Sequence, residues 1–249
     1  MSTRMVHMVF DAVEPVRLAR FWAAALGWEM EWEMTADGSE VANVLPAGYS
    51  YPDPVAQALV LLPVPEPKQA KNRVHLNLAT QSAAHQAAEV DRLLGLGAVP
   101  ADVGQGDVSW RVLADPEGNE FCVLDPRPAY RDTGPVAAIV ADCTDLEVMA
   151  GFWELAAGWT RRGMADDRIM LRSPRDIGPF LELQQVPEVK AVKNRVHVDV
   201  ASEEGEDLAG AVRLLREAGA VPADIGQGDV DWDVMADPEG HEFCVLTPR

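Results

Sequence analysis

An internal repeat constrains the fold of this chain more than any other feature. The segment KNRVHLNLA at Lys71–Ala79 returns as KNRVHVDVA at Lys193–Ala201, at an offset of 122 residues, with six of nine positions identical. At the same offset, Ala98–Arg127 matches Ala220–Arg249 at 24 of 30 positions. A repeat of this length indicates that the two halves of the chain share one architecture.

Within the repeated segment, apolar and polar residues alternate strictly, which predicts a strand with one apolar and one polar face. In the first copy the polar face carries Arg73, His75 and Asn77, and in the second copy it carries Arg195, His197 and Asp199. These six residues are the candidates for binding a ligand. The alternative interpretation is structural: the histidines bond to the neighbouring strand, and the arginines pair with nearby carboxylates.

Each half follows the order strand, helix and three strands twice. A helix is predicted to begin at Pro15 and end at Gly27, and a second helix covers Ser82 to Leu96. The buried face of the second helix is predicted to be Ala87, Val90, Leu93 and Leu94. The segment Thr35–Pro54 is rich in turn residues, and Thr144 with Glu147 forms a predicted capping box for the third helix. The Pro-bearing segment PRPAYRDTGP predicts domains at 1–128 and 136–249, with a linker at 129–135.

The first half contains nine more residues than the second between Met30 and Ala58. The loop Ala47–Val55 is the natural position for this insertion. An insertion in one copy is either ordinary surface variation or a lid over one site.

Composition excludes several classes of function. The 249 residues are 48% hydrophobic and 24% charged, values typical of globular proteins, and the net charge is −19. Such a charge repels nucleic acid and anionic membrane surfaces and favours cationic ligands. Three Cys argue against a disulfide framework, and no apolar run is long enough to span a bilayer, so we expect a cytoplasmic protein.

The residues that repeat between the halves resemble the vicinal oxygen chelate superfamily, particularly its glyoxalase-like and bleomycin-resistance-type domains. The resemblance rests on Leu18–Trp22, Leu26–Trp28, Val64–Pro67, Asn72–His75 and Ala114–Leu124. It implies an α+β fold of two tandem domains. Each domain has two βαβββ units that form a curled mixed sheet with a concave cup for a small molecule. The two domains are expected to pair within the chain, and a homodimer is left open.

The resemblance also implies a set of metal ligands. Metal-dependent members carry a His or Gln on the first strand of each unit and a Glu near the end of the last strand. In the first domain these positions fall on His7, His75 and Cys122, with Glu120 as a nearby carboxylate; in the second they fall on Ala138, His197 and Cys244. The residues alone establish no cofactor. The implied one is a single divalent ion, Zn, Ni, Mn or Fe, held in the first domain by His7, His75 and Glu120.

Two pairings of the units remain open. If each cup draws on both domains, His7 faces His197 with Cys244, and Ala138 faces His75 with Cys122. Trp110 and Trp232, at equivalent positions, belong either to the core or to an aromatic wall of the cups.

Two functions follow from these patterns. The first is sequestration of a small molecule such as an antibiotic, without catalysis. The second is a metal-dependent lyase, isomerase or dioxygenase that acts on a vicinal-oxygen substrate through His7 and His75.

Overall fold

The repeated pattern folds into four successive units, each with one strand, one helix and three strands. The structure, a computed structural model, describes residues 3–36, 38–51, 53, 55, 57–202, 207–226, 228 and 230–247. Unit 1 contains β1 (Thr3–Ala12), α1 (Pro15–Leu26), β2 (Glu29–Met34), β3 (Glu40–Leu45) and β4 (Ala58–Pro63). Unit 2 contains β5 (Val74–Leu78), α2 (Ala83–Leu96), β6 (Val99–Pro100), β7 (Arg111–Ala114) and β8 (Glu120–Val123). Unit 3 contains β9 (Val136–Cys143), α3 (Leu146–Ala157), β10 (Thr160–Ala165), β11 (Arg168–Arg172) and β12 (Phe180–Gln185). Unit 4 contains β13 (Val196–Ser202), α4 (Leu208–Glu217), β14 (Val221–Pro222), β15 (Asp233–Ala236) and β16 (Glu242–Leu246).

The units pair across the two halves of the chain. The first sheet has the strand order β14-β15-β16-β13-β1-β4-β3-β2, and the second has β10-β11-β12-β9-β5-β8-β7-β6. Unit 1 therefore joins unit 4 through the antiparallel pair β1–β13, and unit 2 joins unit 3 through β5–β9. The expected α+β fold of tandem βαβββ units is confirmed. Of the two pairings that the sequence leaves open, the structure has the one in which each sheet draws on both halves.

One face of each sheet packs into a single apolar core with the helices. Strand alternation places Met8 and Phe10 of β1 in this core together with Leu76 of β5 and Ile139 of β9. The side of the first sheet that faces away from this core is called the first face. The corresponding side of the second sheet is called the second face. Because side chains alternate along a strand, His7 lies on the first face and His75 lies on the second.

Helices α1 and α3 connect the two sheets within each half of the chain. Pro15 begins it, and Gly27 ends it with φ of 67°, as predicted. Its Trp22 packs against Phe121 of β8, with ring centroids 5.1 Å apart, and donates to Asp115 Oδ2 at 3.1 Å. Trp153 of α3 contacts Phe243 and Asp237 in the same way. Each helix thus buries its aromatic face against a unit of the other sheet.

Three local predictions were wrong. The turn-rich segment Thr35–Pro54 contains β3, whose alternating Ala42 and Val44 enter the core. In α2 only Leu93 is fully buried, while Ala87 and Leu94 are exposed. This helix is attached instead through Arg92, which donates to the carbonyls of Ala24 and Ala25 at the end of α1.

The capping box predicted for α3 is also absent. The N-cap is Asp145, which accepts from the backbone N–H groups of Glu147 and Val148. Thr144 is bonded to Glu239 instead, through both its backbone N–H and its hydroxyl. The reason lies in the tertiary structure, because a carboxylate from unit 4 supplies the acceptor that the local sequence was expected to supply.

Candidate functional site

Four metal-type donor residues converge on the first face because unit 1 pairs with unit 4. In the register of the sheet His7 of β1 lies opposite Asp199 of β13, and Asp199 lies beside Cys244 of β16. His197 occupies the same face two residues before Asp199. The side-chain donor atoms of His197, Asp199 and Cys244 all lie within 4.8 Å of one another. His197, Asp199 and Cys244 all belong to unit 4, and the cross-pairing adds His7 from unit 1.

The distances between these donors fit a shared metal ion better than they fit hydrogen bonds. Asp199 Oδ2 lies 3.6 Å from His7 Nδ1, and Asp199 Oδ1 lies 3.5 Å from His197 Nε2. Hydrogen bonds of this kind are about 2.7–3.2 Å long. An ion with N and O ligands at about 2.0–2.2 Å in tetrahedral geometry separates its donors by roughly 3.3–3.6 Å. Each imidazole therefore lies near a different oxygen of the Asp199 carboxylate, and His197, Asp199 and Cys244 form the tightest donor group.

Burial strengthens this interpretation. His197 and Asp199 are only 4% and 5% exposed, and Asp199 Oδ1 has no hydrogen bond from any residue that the structure describes. A buried carboxylate oxygen without a donor is costly unless a cation or a protonated group compensates it. The donor set thus fits a divalent ion on the first face.

Cys244 lies against the same donors. Its Sγ is 3.8 Å from His197 Nε2. Burial, and then the neighbouring Asp199 carboxylate, raise the pKa of this thiol far above its ordinary value, while a hydrogen bond from Trp232 acts in the opposite direction. In the protein without an ion, Cys244 is therefore a neutral thiol at physiological pH.

The insertion in unit 1 reaches this site. The ring of Tyr51 lies 5.2 Å from the His7 imidazole, and its hydroxyl donates to the carbonyl of Thr247 at 3.1 Å. Residues 52 and 54 of the predicted lid loop lie outside the described residues. Tyr51 thus connects the loop of unit 1 to the end of unit 4 and forms a wall beside His7.

The metal ligands predicted for the first domain are not brought together. His7 belongs to the first sheet, whereas His75 and Glu120 belong to the second. Glu120 is occupied by Lys68 Nζ at 2.7 Å and by the backbone N–H of Asn72. Burial lowers the pKa of His75 to about 4, so this side chain is neutral at physiological pH.

The second face is formed by the equivalent strands but carries different side chains. Asn77 stands where the first face has Asp199, and Ala138 stands where it has His7. The second face therefore retains the imidazole of His75 but has no aspartate between two imidazoles.

The linker closes much of this face. Tyr130 packs against Phe180 and the cluster around Cys122 and Val112, and it donates to Glu182 Oε2 at 2.8 Å. Trp110 joins that apolar cluster with Arg127 stacked over its ring, whereas Trp232 lies half-buried beside Cys244.

The two arginines of the repeated segment bond to protein groups. Arg195 pairs with Glu117 at 2.9 Å and donates to the carbonyl of Glu66, so it ties the first sheet to unit 2. Arg73 donates to the carbonyl of Asp142 at 3.3 Å. These contacts agree with the structural interpretation of the Arg positions.

The comparison with protein families now identifies the architecture. The sequence model of the glyoxalase-like domain matches residues 7–124 and again 138–246. The chain belongs to the glyoxalase-like domain family. A search of curated proteins by sequence found no match.

Solved structures show the same fold in other glyoxalase-like proteins. Glyoxalase I from Zea mays is 17% identical, with a TM-score of 0.65 over 99% of this chain and 92% of its own. A putative dioxygenase from Bacillus subtilis is 14% identical, with a TM-score of 0.66 over 98% of this chain and 85% of its own.

In the described part of the chain, no helix has the length and apolar character needed to cross a bilayer.

Asp199 is among the predicted ligand-binding residues and is not among the predicted metal ligands. One signal was present: the second copy of the repeat replaces Asn77 by an acid, next to a histidine on the same strand face. Without the pairing of unit 1 to unit 4, however, nothing indicates that His7 lies opposite that acid in this glyoxalase-like protein.

Proposed function

We propose that the first face binds a divalent transition-metal ion through His7, His197 and Asp199, and holds a small oxygen-bearing molecule beside it. One observation carries this proposal. The Asp199 carboxylate lies between two imidazoles at 3.5 and 3.6 Å, buried and without a hydrogen bond at Oδ1 from the described residues. When bound, such an ion acts as a Lewis acid that polarises substrate oxygens.

The residues around the donors favour this use. Asp199 supplies a buried negative charge that attracts a cation, and the net charge of −19 adds to that attraction. His7 is partly exposed, which leaves access to the donors from the first face. Tyr51 shields one side of the His7 imidazole from water. Two imidazoles with one carboxylate suit Zn, Fe(II), Ni or Mn and leave coordination positions for a small molecule.

The structural relatives suggest which reactions to assay. They are named a glyoxalase I and a putative dioxygenase, so candidate substrates are small molecules with adjacent oxygens, tested for lyase, isomerase and dioxygenase chemistry. A binding function without catalysis is the second candidate. It is favoured by Cys244, a neutral thiol at the position where the superfamily resemblance implies a carboxylate. Sequestration of a small hydrophobic or cationic molecule, such as an antibiotic, would then persist in the presence of EDTA.

The first test is calorimetric titration of EDTA-treated protein with Zn, Ni, Mn and, without oxygen, Fe(II). We expect saturable binding of at least one of these ions, and His7→Ala should weaken it by about 100-fold or more. His75→Ala is the matched control, because His75 is the repeat equivalent of His197 on the second face. An absence of binding, or equal loss in both variants, would contradict the proposal.

A further inference from the structure

A cavity of about 170 Å³ lies between the two sheets, on the core side. Met8 and Leu59 of the first sheet form one wall, and Leu76 and Ile139 of the second sheet form another. Met8 and His7 point to opposite sides of β1, so this cavity is separate from the first face. An engineered cavity of about 150 Å³ in another protein binds benzene, so the space here accommodates a small ring.

One polar side chain in the wall of this cavity is unmatched. Gln57, directly before β4, is only 4% exposed. Neither its Oε1 nor its Nε2 has a hydrogen-bond partner among the residues that the structure describes. A buried amide that makes no hydrogen bond carries a desolvation cost that a bound ligand can offset. Gln57 thus presents one acceptor and one donor side by side in an otherwise apolar space.

The remaining lining defines what can bind there. No charged side chain contributes to the described wall, so an anion or cation entering it would lose its hydration without compensation. Trp28 and Thr133 carry the other polar groups of the described wall, and the Thr133 hydroxyl already bonds to the carbonyls of Tyr130 and Gly134. The ligand must therefore be neutral, with its polar group directed at Gln57.

The walls that close the cavity come from three connecting segments. Gly134 and Pro135 belong to the linker, Val55 to the insertion of unit 1, and Gly178 to the β11–β12 turn. Gly178 has φ of 79°, and a Cβ there would lie 2.6 Å from Val55 Cγ1, so only glycine allows these two segments to approach so closely. The cavity is thus a product of the cross-paired assembly.

From this geometry we propose that the cavity between the sheets binds a small, neutral, apolar molecule bearing a carboxamide or lactam, which pairs with the Gln57 amide. The ligand carbonyl accepts from Nε2, and the ligand N–H donates to Oε1. The apolar remainder of the ligand packs against the aliphatic walls, and its burial supplies the larger part of the affinity.

The test uses benzamide as the probe on the full chain, with toluene as its apolar counterpart and benzoate as its charged one. Calorimetry in the presence of EDTA should show benzamide binding about tenfold more tightly than toluene, and no benzoate binding. Gln57→Leu keeps a similar volume and removes the unmatched amide, so the variant should fold with an undiminished Tm. It should lose about tenfold in benzamide affinity while toluene affinity changes by less than about twofold.

Gln184→Leu is the matched control, because Gln184 lies on β12 away from the cavity and bonds to Asp167. It should bind benzamide like the wild type. The proposal is overturned if neither benzamide nor toluene binds, if the two bind equally, or if benzamide binding survives Gln57→Leu unchanged. The last result would place the benzamide site elsewhere, for example on the first face.

Discussion

At the scale of single residues, Asp199 and His7 distinguish the two faces. Their counterparts on the second face are Asn77 and Ala138, although the strands and the neighbouring histidine and cysteine are the same. Two substitutions therefore separate the face for which we propose an ion from the equivalent face of the second sheet. The repeat provides an internal control for every experiment on the site, because His197 and His75 differ in their surroundings and not in their position in the unit.

Asp199→Asn gives the first face the same residue that the second face has at the equivalent position, Asn77. Without metal, we expect the variant to be more stable than the wild type by about 1 kcal/mol, because a buried carboxylate without a hydrogen bond at Oδ1 becomes neutral. With saturating Zn, only the wild type should gain stability. Denaturant unfolding with and without Zn measures both effects, and equal stabilisation of the two proteins by Zn would refute a ligand role for Asp199.

His75 predicts a pH dependence of stability. Burial lowers its pKa in the folded state to about 4, below its unfolded value near 6.5, with Lys71 acting in the same direction and Asp142 and Glu120 opposing it. The unfolded chain therefore binds more protons between these values. The stability contributed by neutral His75 is present above pH 6.5 and is lost as the pH falls toward 4.

His75→Gln should remove this contribution. Between pH 7 and pH 5 the wild type should lose about 2 kcal/mol more of its unfolding free energy than the variant. Urea denaturation at the two pH values measures the difference. Parallel losses in both proteins would show that His75 is protonated as readily in the folded state as in the unfolded state.

The sequence predicted the position of a side chain correctly where that position depends only on the residue's own strand. The alternation around His75 and His197 placed both side chains on the face opposite the core. It failed where the role depends on a partner from another unit: Glu120 is paired with Lys68, and Asp199 faces His7. Periodicity indicates a face and contains no information on which strand lies beside it.

At the scale of elements, the linker fills much of the second face. Glu182 is 1% exposed and is held between the Tyr130 hydroxyl at 2.8 Å and Arg168 at 2.7 Å. The linker backbone is fastened in turn by Arg172, which donates to the carbonyl of Arg131, and by Gly178, which donates to Asp132. A segment expected only to connect two domains therefore belongs to the packing of the second sheet.

Substitutions of Tyr130 test this packing. Tyr130→Ala should reduce the unfolding free energy by about 2–3 kcal/mol, because it removes a large ring from an apolar cluster and one partner of Glu182. Tyr130→Phe should cost only about 1 kcal/mol, since the ring remains and Arg168 still neutralises Glu182. Denaturant unfolding compares the two variants. Costs below about 0.5 kcal/mol in both would mean that the linker is not docked in solution.

Element boundaries were predictable where local signals decide them. Pro15 and Gly27 delimit α1, and Ser82 caps α2 through the backbone N–H of His85. The start of α3 was mispredicted because Glu239, distant in sequence, satisfies Thr144. Strand β3 was missed because turn residues on both sides obscured its short alternation.

At the scale of the whole molecule, each sheet needs both halves of the chain. Strand β1 forms its antiparallel pair with β13, and β5 forms its own with β9. The repeat predicted four units, but two similar polar strand faces are compatible with either pairing. The pattern within one unit contains no information on which unit lies beside it.

Separated halves should reveal this interdependence. Residues 1–128 and 129–249, expressed apart, are expected to aggregate or self-associate, because β1 and β5 lose their antiparallel partners and expose strand edges. When refolded together they should form a 1:1 complex with the circular dichroism spectrum of the intact chain. A stable monomer of residues 1–128 that unfolds cooperatively would contradict the cross-paired assembly.

We propose that the cross-pairing builds one metal site per chain, with donors from units 1 and 4. The most direct measurement is elemental analysis after Zn saturation and desalting, on the wild type, His197→Ala and His75→Ala. We expect one Zn per chain in the wild type and in His75→Ala, and none in His197→Ala. Two Zn per chain, or a loss of Zn in His75→Ala with retention in His197→Ala, would contradict it.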